Sequence, residues 1–218
     1  MTRPYRYIDK SAAFLKEEEI KENRKRLEER ERIHLRYGMD RASAYSHIAG
    51  LLLPLQSKVL EIGTGRGVTA AFLAKSQGSI TTVDVSDSDT RTALLNAAHD
   101  KTLDRISYCV CDAVSLPFLE KEFDHSVSIN GFHHFSNPKA VMAEMLRVTK
   151  NKIVVADFSE SGFEIIRAIH AMDGNTHEEH NNDTGLIGRI FRELGYEPER
   201  HDTPNFVVYV VDKKKGRS

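Results

Sequence analysis

VLEIGTGRGVTAAFLA, residues 59–74, decides the fold of this chain. VLEI reads as a short strand that runs into GTGRG. Val68–Lys75 then reads as a helix whose first N–H groups point back at the loop. Gly63, Gly65 and Gly67 permit positive φ and let a ligand approach the backbone closely. The dinucleotide fingerprint needs a third glycine five residues after the first, and Val68 stands there. A phosphate loop needs Gly-Lys-Ser/Thr, which this loop lacks. An NAD-dependent oxidoreductase is therefore disfavoured.

The same alternation continues outward. SITTVDV (79–85), ISYCVCDA (106–113), FDHSVSIN (123–130), KIVVADF (152–158) and FVVYVVDKK (206–214) read as strands. Residues 88–100, Asn137–Thr149 with Pro138 in its first turn, 162–172 and 184–194 read as helices, and Gly195 ends the last. Strands alternating with helices predict a three-layer α/β fold, a mostly parallel sheet covered on both faces. Upstream, residues 11–36 are almost all helix formers, with sparse apolar positions on a charged background. Two readings stay open there: a solvated helix with a thin apolar stripe, or a helix that covers a site or pairs with a second copy of the chain. Gly38 is a stop, and Asp40 caps a helix over Arg41–Leu53. This divides the chain into a charged helical extension, 1–39, and one domain, 40–218.

The 218 residues suit one α/β domain plus such an extension. Lys+Arg is 31 and Asp+Glu is 32, a net charge of −1, so no bulk attraction to nucleic acid or membrane follows. No apolar leader follows Met1. The longest apolar run, Ile48 to Leu55, is far shorter than the roughly 20 residues of a membrane helix. Cys109 and Cys111 face one side of a strand and read as core packing. They build no disulfide framework, and a cytoplasmic location is the expectation.

EIGTGRG resembles motif I of the class I S-adenosylmethionine-dependent methyltransferases, and three further segments carry the resemblance. TTVDVS matches the second strand, VCDAVSLPF the segment after the third, and FDHSVSINGFHHF the fourth strand and its exit. The resemblance implies a Rossmann-like sheet of seven strands with the last antiparallel, and S-adenosylmethionine as cofactor. It assigns Gly63, Thr64, Gly65 and Gly67 to the cofactor loop and Glu61 to the ligand's amino end. Asp84, with Val85 beside it, would take the ribose hydroxyls. Asp112 and Ala113 would meet the adenine, and Asn130 and Gly131 the methionine moiety. The family's Pro-Gly turn before the fifth strand is replaced by Thr149-Lys150-Asn151-Lys152. The chemistry agrees: carboxylates suit a ribose diol, and a sulfonium has no use for a basic phosphate cradle.

His133 and His134 follow the fourth strand, where methyl and acceptor meet in this fold. They are the candidate catalytic residues, as base or orienting donor, against a reading in which they only shape the pocket. HAMDGNTHEEHNND, residues 170–183, follows the fifth strand. His177 and His180 share a helical face, and with Asp173 and His170 they make a candidate zinc-like site. Metal-free substrate contacts and a bare solvated loop are the alternatives. The expected activity is methyl transfer to a small-molecule acceptor. RNA or protein methylation and a non-catalytic cofactor-binding scaffold stand as alternatives.

Overall fold

The computed structural model describes residues 5–11, 14–52, 57–76, 78–172 and 183–216. The strands are β1 (Arg6–Tyr7), β2 (Lys58–Ile62), β3 (Ser79–Asp84), β4 (Ile106–Val110), β5 (Phe123–Ile129), β6 (Thr149–Phe158), β7 (Glu199–Asp202) and β8 (Phe206–Asp212). The helices are α1 (Glu17–Arg36), α2 (Arg41–Leu51), α3 (Val68–Leu73), α4 (Thr90–His99), α5 (Pro138–Val148), α6 (Glu160–Met172) and α7 (Gly185–Glu193). Among the described residues no helix is long and apolar enough to cross a membrane.

One eight-stranded sheet runs in the order β1-β4-β3-β2-β5-β6-β8-β7. Strands β4, β3, β2, β5 and β6 are mutually parallel, and β8 is antiparallel to both its neighbours. The order reverses at β2, and a sheet of this kind binds ligands at the carboxyl ends of its strands on either side of that switch. The seven-stranded expectation holds, with β1 added as an antiparallel edge. Tyr7 stands opposite Cys109, and Ile8 N donates to Tyr108 O at 2.9 Å. Two residues carry no periodicity, so nothing local announces this strand.

Strict alternation feeds two cores. Val59, Val154, Ala156, Val208 and Val210 pack with α2, α3 and α4 on one face. Leu60, Ile153, Val155, Val207 and Tyr209 pack with α5 and α7 on the other. Because both faces are covered, the strands read as continuous apolar runs. Cys109 and Cys111 are buried in the second core as free thiols.

The caps follow the sequence. Asp40 accepts from Ser43 N at 3.0 Å and opens α2, and Asn137 accepts from Ala140 N at 3.2 Å and opens α5. Where the family has a Pro-Gly turn, α5 passes directly into β6 at Thr149.

The helix α1 is docked by polar contacts. Glu19 binds Arg91 at 2.7 Å, Asn23 Nδ2 donates to Asn96 Oδ1 at 2.7 Å, and Glu31 meets Arg41 at 3.3 Å. Between α1 and the outer faces of α2, α3 and α4 lies a cavity of about 480 Å³, floored by Tyr45, Val68, Ala71 and Phe72.

Candidate functional site

The glycine loop folds over the end of β3. Gly63 N and Thr64 N both donate to Val83 O, at 2.8 and 3.1 Å, and Gly67 N closes the turn on Thr64 O at 2.8 Å. Gly63, Gly65 and Gly67 have φ of +93°, +43° and +70°. Their demands differ. A Cβ on Gly63 would come no nearer than 4.0 Å to Gly131 Cα, so this glycine leaves an open cradle between two backbones. A Cβ on Gly67 would lie 2.6 Å from Ala93 Cβ, so α4 itself requires that glycine. Arg66 is exposed, and its carbonyl accepts from Asn96 Nδ2 at 2.8 Å.

Glu61 lies beneath the loop and is 2% exposed. It stands opposite Thr82 in the β2–β3 register, and Thr82 Oγ1 donates to its Oε2 at 2.6 Å. Thr64 Oγ1 lies 2.8 Å from Thr82 Oγ1, which links the carboxyl to the loop, and Thr69 in α3 also bonds the Glu61 side chain. Burial pushes Glu61 up to about 8; the threonines oppose the shift and the nearby Asp84 carboxylate adds to it. Glu61 thus stitches β2, β3 and α3 together under the loop, a role that strand-end position alone does not reveal.

Asp84 closes β3 and is half-buried. Gly65 N donates to its Oδ2 at 3.0 Å and Ser86 N to its Oδ1 at 3.1 Å. Each carboxylate oxygen accepts more than one hydrogen bond, so acceptor capacity remains for a diol. Val85 beside it is 75% exposed. Asp112 and Ala113 follow β4, half-buried, with Val114 N donating to Asp112 Oδ1 at 3.0 Å. A small cavity of about 70 Å³ joins Thr64, Gly65, Asp84 and Tyr108 to Ile8. Ile8 escaped the sequence reading because it arrives with β1.

At the exit of β5, Asn130 has φ +56°, unusual for a residue with a side chain, and its N–H is pinned to Ala156 O at 2.9 Å. Its Oδ1 is buried and accepts no hydrogen bond among the described residues. An orphaned acceptor in a buried setting is costly unless a ligand donor satisfies it. Gly131 follows, where an added Cβ would sit 2.9 Å from Ser128 Oγ.

The two histidines separate. His133 is 1% exposed, with its Nδ1 2.7 Å from Asp157 Oδ1, whereas His134 is exposed with its ring 4.0 Å from that of His133. Of the metal candidates, His170 lies on α6 with its Nε2 3.5 Å from Arg30 Nη2, a fixed cation that opposes a dication there. Asp173, His177 and His180 lie outside the described residues. Among the described residues no group of three or more His, Cys, Asp or Glu is placed to hold a metal ion.

The strand ends therefore bring Asp84, Asp112, Asn130 and Gly131 around the glycine loop, and they keep Glu61 below it. The set suits S-adenosylmethionine. Carboxylates accept from a diol or an amine, the cradle is backbone, and the Asn130 acceptor is orphaned among the described residues.

Residues 59–152 match a sequence profile described as a methyltransferase domain. The chain is 32% identical over 123 residues to the ubiquinone/menaquinone biosynthesis C-methyltransferase UbiE of Shewanella pealeana, covering 52% of this chain and 47% of that one. The chain thus spans about half the length of that relative. The fold is that of an S-adenosylmethionine-dependent methyltransferase from Aquifex aeolicus (TM-score 0.61, 15% identity, 77% of this chain and 88% of the other). It is likewise that of Haemonchus contortus phosphoethanolamine N-methyltransferase 2, solved with S-adenosyl-L-methionine (TM-score 0.61, 17% identity, 78% and 52%). The glycine loop, the strand order and the matched segment 59–152 give the chain the Rossmann-like fold of the S-adenosylmethionine-dependent methyltransferases.

Proposed function

We propose that the protein transfers the methyl group of S-adenosylmethionine to a small-molecule acceptor by in-line displacement. The observation that carries this reading is the ring of strand-end groups around the positive-φ loop: Asp84, Asp112 and the orphaned Asn130 Oδ1. When bound, S-adenosylmethionine supplies an electrophilic methyl on a positively charged sulfur. Asp84 takes the ribose hydroxyls, Asp112 and Ala113 the adenine, and Asn130 Oδ1 the methionine ammonium. Gly63 and Gly131 admit the ligand between two backbones. Glu61 supports the loop from below. The protein's main task is then alignment and exclusion of water. An acceptor that loses a proton needs a base, and the His133–His134 turn is the candidate. The near-neutral charge and the UbiE relative, named as a C-methyltransferase of quinone biosynthesis, favour a small acceptor over nucleic acid.

Calorimetry with S-adenosylhomocysteine tests the cofactor assignment. The protein should bind it, and Asp84→Ala should weaken binding by about 10²-fold or more, since two hydrogen bonds to a charged group are lost. Unchanged affinity would contradict the ribose assignment. A panel assay for S-adenosylhomocysteine release then tests the acceptor class. Turnover only with RNA or protein would replace the small-molecule reading, and binding without any turnover would leave a cofactor-binding scaffold.

A further inference from the structure

The cavity between α1 and the outer faces of α2, α3 and α4 holds about 480 Å³, a size that suits a small molecule. Its walls are apolar: Tyr45 of α2, Val68, Ala71 and Phe72 of α3, and Leu27 and Leu35 of α1. The Tyr45 and Phe72 rings lie 5.9 Å apart, tilted by 51°, and give the floor two aromatic surfaces. The side at Leu35 is open, since that side chain is 56% exposed. A ligand can therefore enter without moving the core.

The rim is charged, and its charges are already matched. Arg24 binds Glu28 at 2.8 Å, Arg32 binds Glu29 at 2.9 Å, Arg41 meets Glu31 at 3.3 Å and Lys75 binds Asp100 at 2.9 Å. Asp40 accepts from Ser43 N as the cap of α2. An ionic ligand finds each opposite charge engaged, and burying its own charge against the apolar walls costs affinity. An uncharged ligand avoids that cost. Tyr45 supplies one polar contact at the floor. Its oxygen accepts from Arg41 Nε at 3.2 Å and from Arg41 Nη2 at 2.8 Å, which leaves the hydroxyl hydrogen to donate.

This space is separate from the ring of strand-end groups. Asp84, Asp112, Asn130 and Gly131 do not line it. It meets the glycine loop only from behind, through Val68, which follows Gly67, and through Asn96, which donates to Arg66 O at 2.8 Å.

We propose that the cavity is a second ligand site, which takes an uncharged, largely apolar ring compound bearing a hydrogen-bond acceptor. The ring lies against Tyr45 and Phe72 under the two leucines of α1, and the acceptor takes the Tyr45 hydrogen. The site stands apart from the cofactor and does not rest on the methyl-transfer reading.

Dye titration of the full chain tests this without cofactor or turnover. Prodan, an uncharged naphthalene ketone whose emission shifts to the blue in apolar surroundings, should bind saturably at one per chain. The dye 1-anilinonaphthalene-8-sulfonate offers the same ring system with a fixed negative charge and should bind at least about tenfold more weakly. Leu27→Trp fills the space with an indole and should weaken Prodan by about tenfold or more. Leu35→Glu puts a charge on the open side, where the fold tolerates it, and should weaken Prodan by about fivefold; it decides the matter if Leu27→Trp fails to fold. Tyr45→Phe should cost about fivefold through the lost hydrogen bond. Absence of saturable Prodan binding overturns the site. Unchanged affinity in either folded leucine variant places the dye elsewhere on the chain and also overturns it. Sulfonate binding as tight as that of Prodan overturns the ligand class, and unchanged affinity in Tyr45→Phe overturns the acceptor.

Discussion

The helices α1 and α3 lie on the same side of the sheet and are held there in opposite ways. In α3, Ala70, Ala71 and Leu73 are buried in the core, and its N-terminal Gly67 touches Ala93 of α4 with no room for a methyl group. In α1, only His34 is buried along twenty residues, and the inner face presents Glu19, Asn23 and Glu31 to partners on the domain. Across the cavity, Leu27 and Leu35 of α1 line the same space as Val68 and Phe72 of α3, among Arg24, Glu28 and Glu31. Area-driven packing stabilises α3 strongly. Exposed ion pairs and hydrogen bonds contribute little net stability each. The difference teaches that the glycine-loop side is held by core packing, whereas α1 is held by side-chain contacts at the surface of the domain. One thread joins them: Asn23 to Asn96 to the carbonyl of Arg66 in the glycine loop.

The largest expected effect breaks the tight side. Gly67→Ala forces a methyl group onto Ala93 and puts an alanine at φ +70°. Overpacking and the left-handed backbone together should destabilise by about 3 kcal/mol. Urea unfolding measures this; a loss below about 1 kcal/mol would mean that α4 yields and that this contact is not rigid.

A second test uses pH. Burial holds Glu61 at about 8, above the ordinary 4.5 of a glutamate. Between those values the folded protein binds the proton and the unfolded chain does not. Stability from this group is therefore fullest at the acid end of that window and falls as pH rises through it. Glu61→Gln should flatten the decline between pH 6 and pH 9 by on the order of 2 kcal/mol. An equal slope in both proteins would show that Glu61 is solvated by water entering under the loop.

The smallest effect sharpens the loose side. Asn23→Ala should cost about 1 kcal/mol or less in global stability. It should nonetheless speed amide hydrogen exchange in α1, and raised salt should do the same in the wild type by screening Glu19–Arg91 and Glu31–Arg41. Protection in α1 equal to that of α3 in both conditions would erase the distinction.

Much of the fold was readable along the chain because its causes are local. Continuous apolar runs in VLEI and KIVVADF announce strands buried on both faces, and Asp40 and Asn137 announce helix starts. Boundaries slipped where pairing across strands decides them. β6 begins at Thr149, before the apolar run, because Thr149 pairs with Phe123 of β5. β8 stops at Asp212, whose side chain turns to accept from Lys214 N at 2.9 Å. The polar inner face of α1 hid its docking, since helical periodicity detects apolar stripes and α1 is held by hydrogen bonds.

By itself the sequence determined the α/β order, the glycine loop, the acids at the ends of the second and third predicted strands, and the resemblance to a methyltransferase family, because each is written in a few neighbouring residues. Only the tertiary structure decided that Glu61 turns under the loop to Thr82, that Ile8 bonds Tyr108 beside the glycine loop, and that Asp157 grips His133. Those contacts join residues 21, about 100 and 24 positions apart. No local pattern encodes such distances; the register of adjacent strands does.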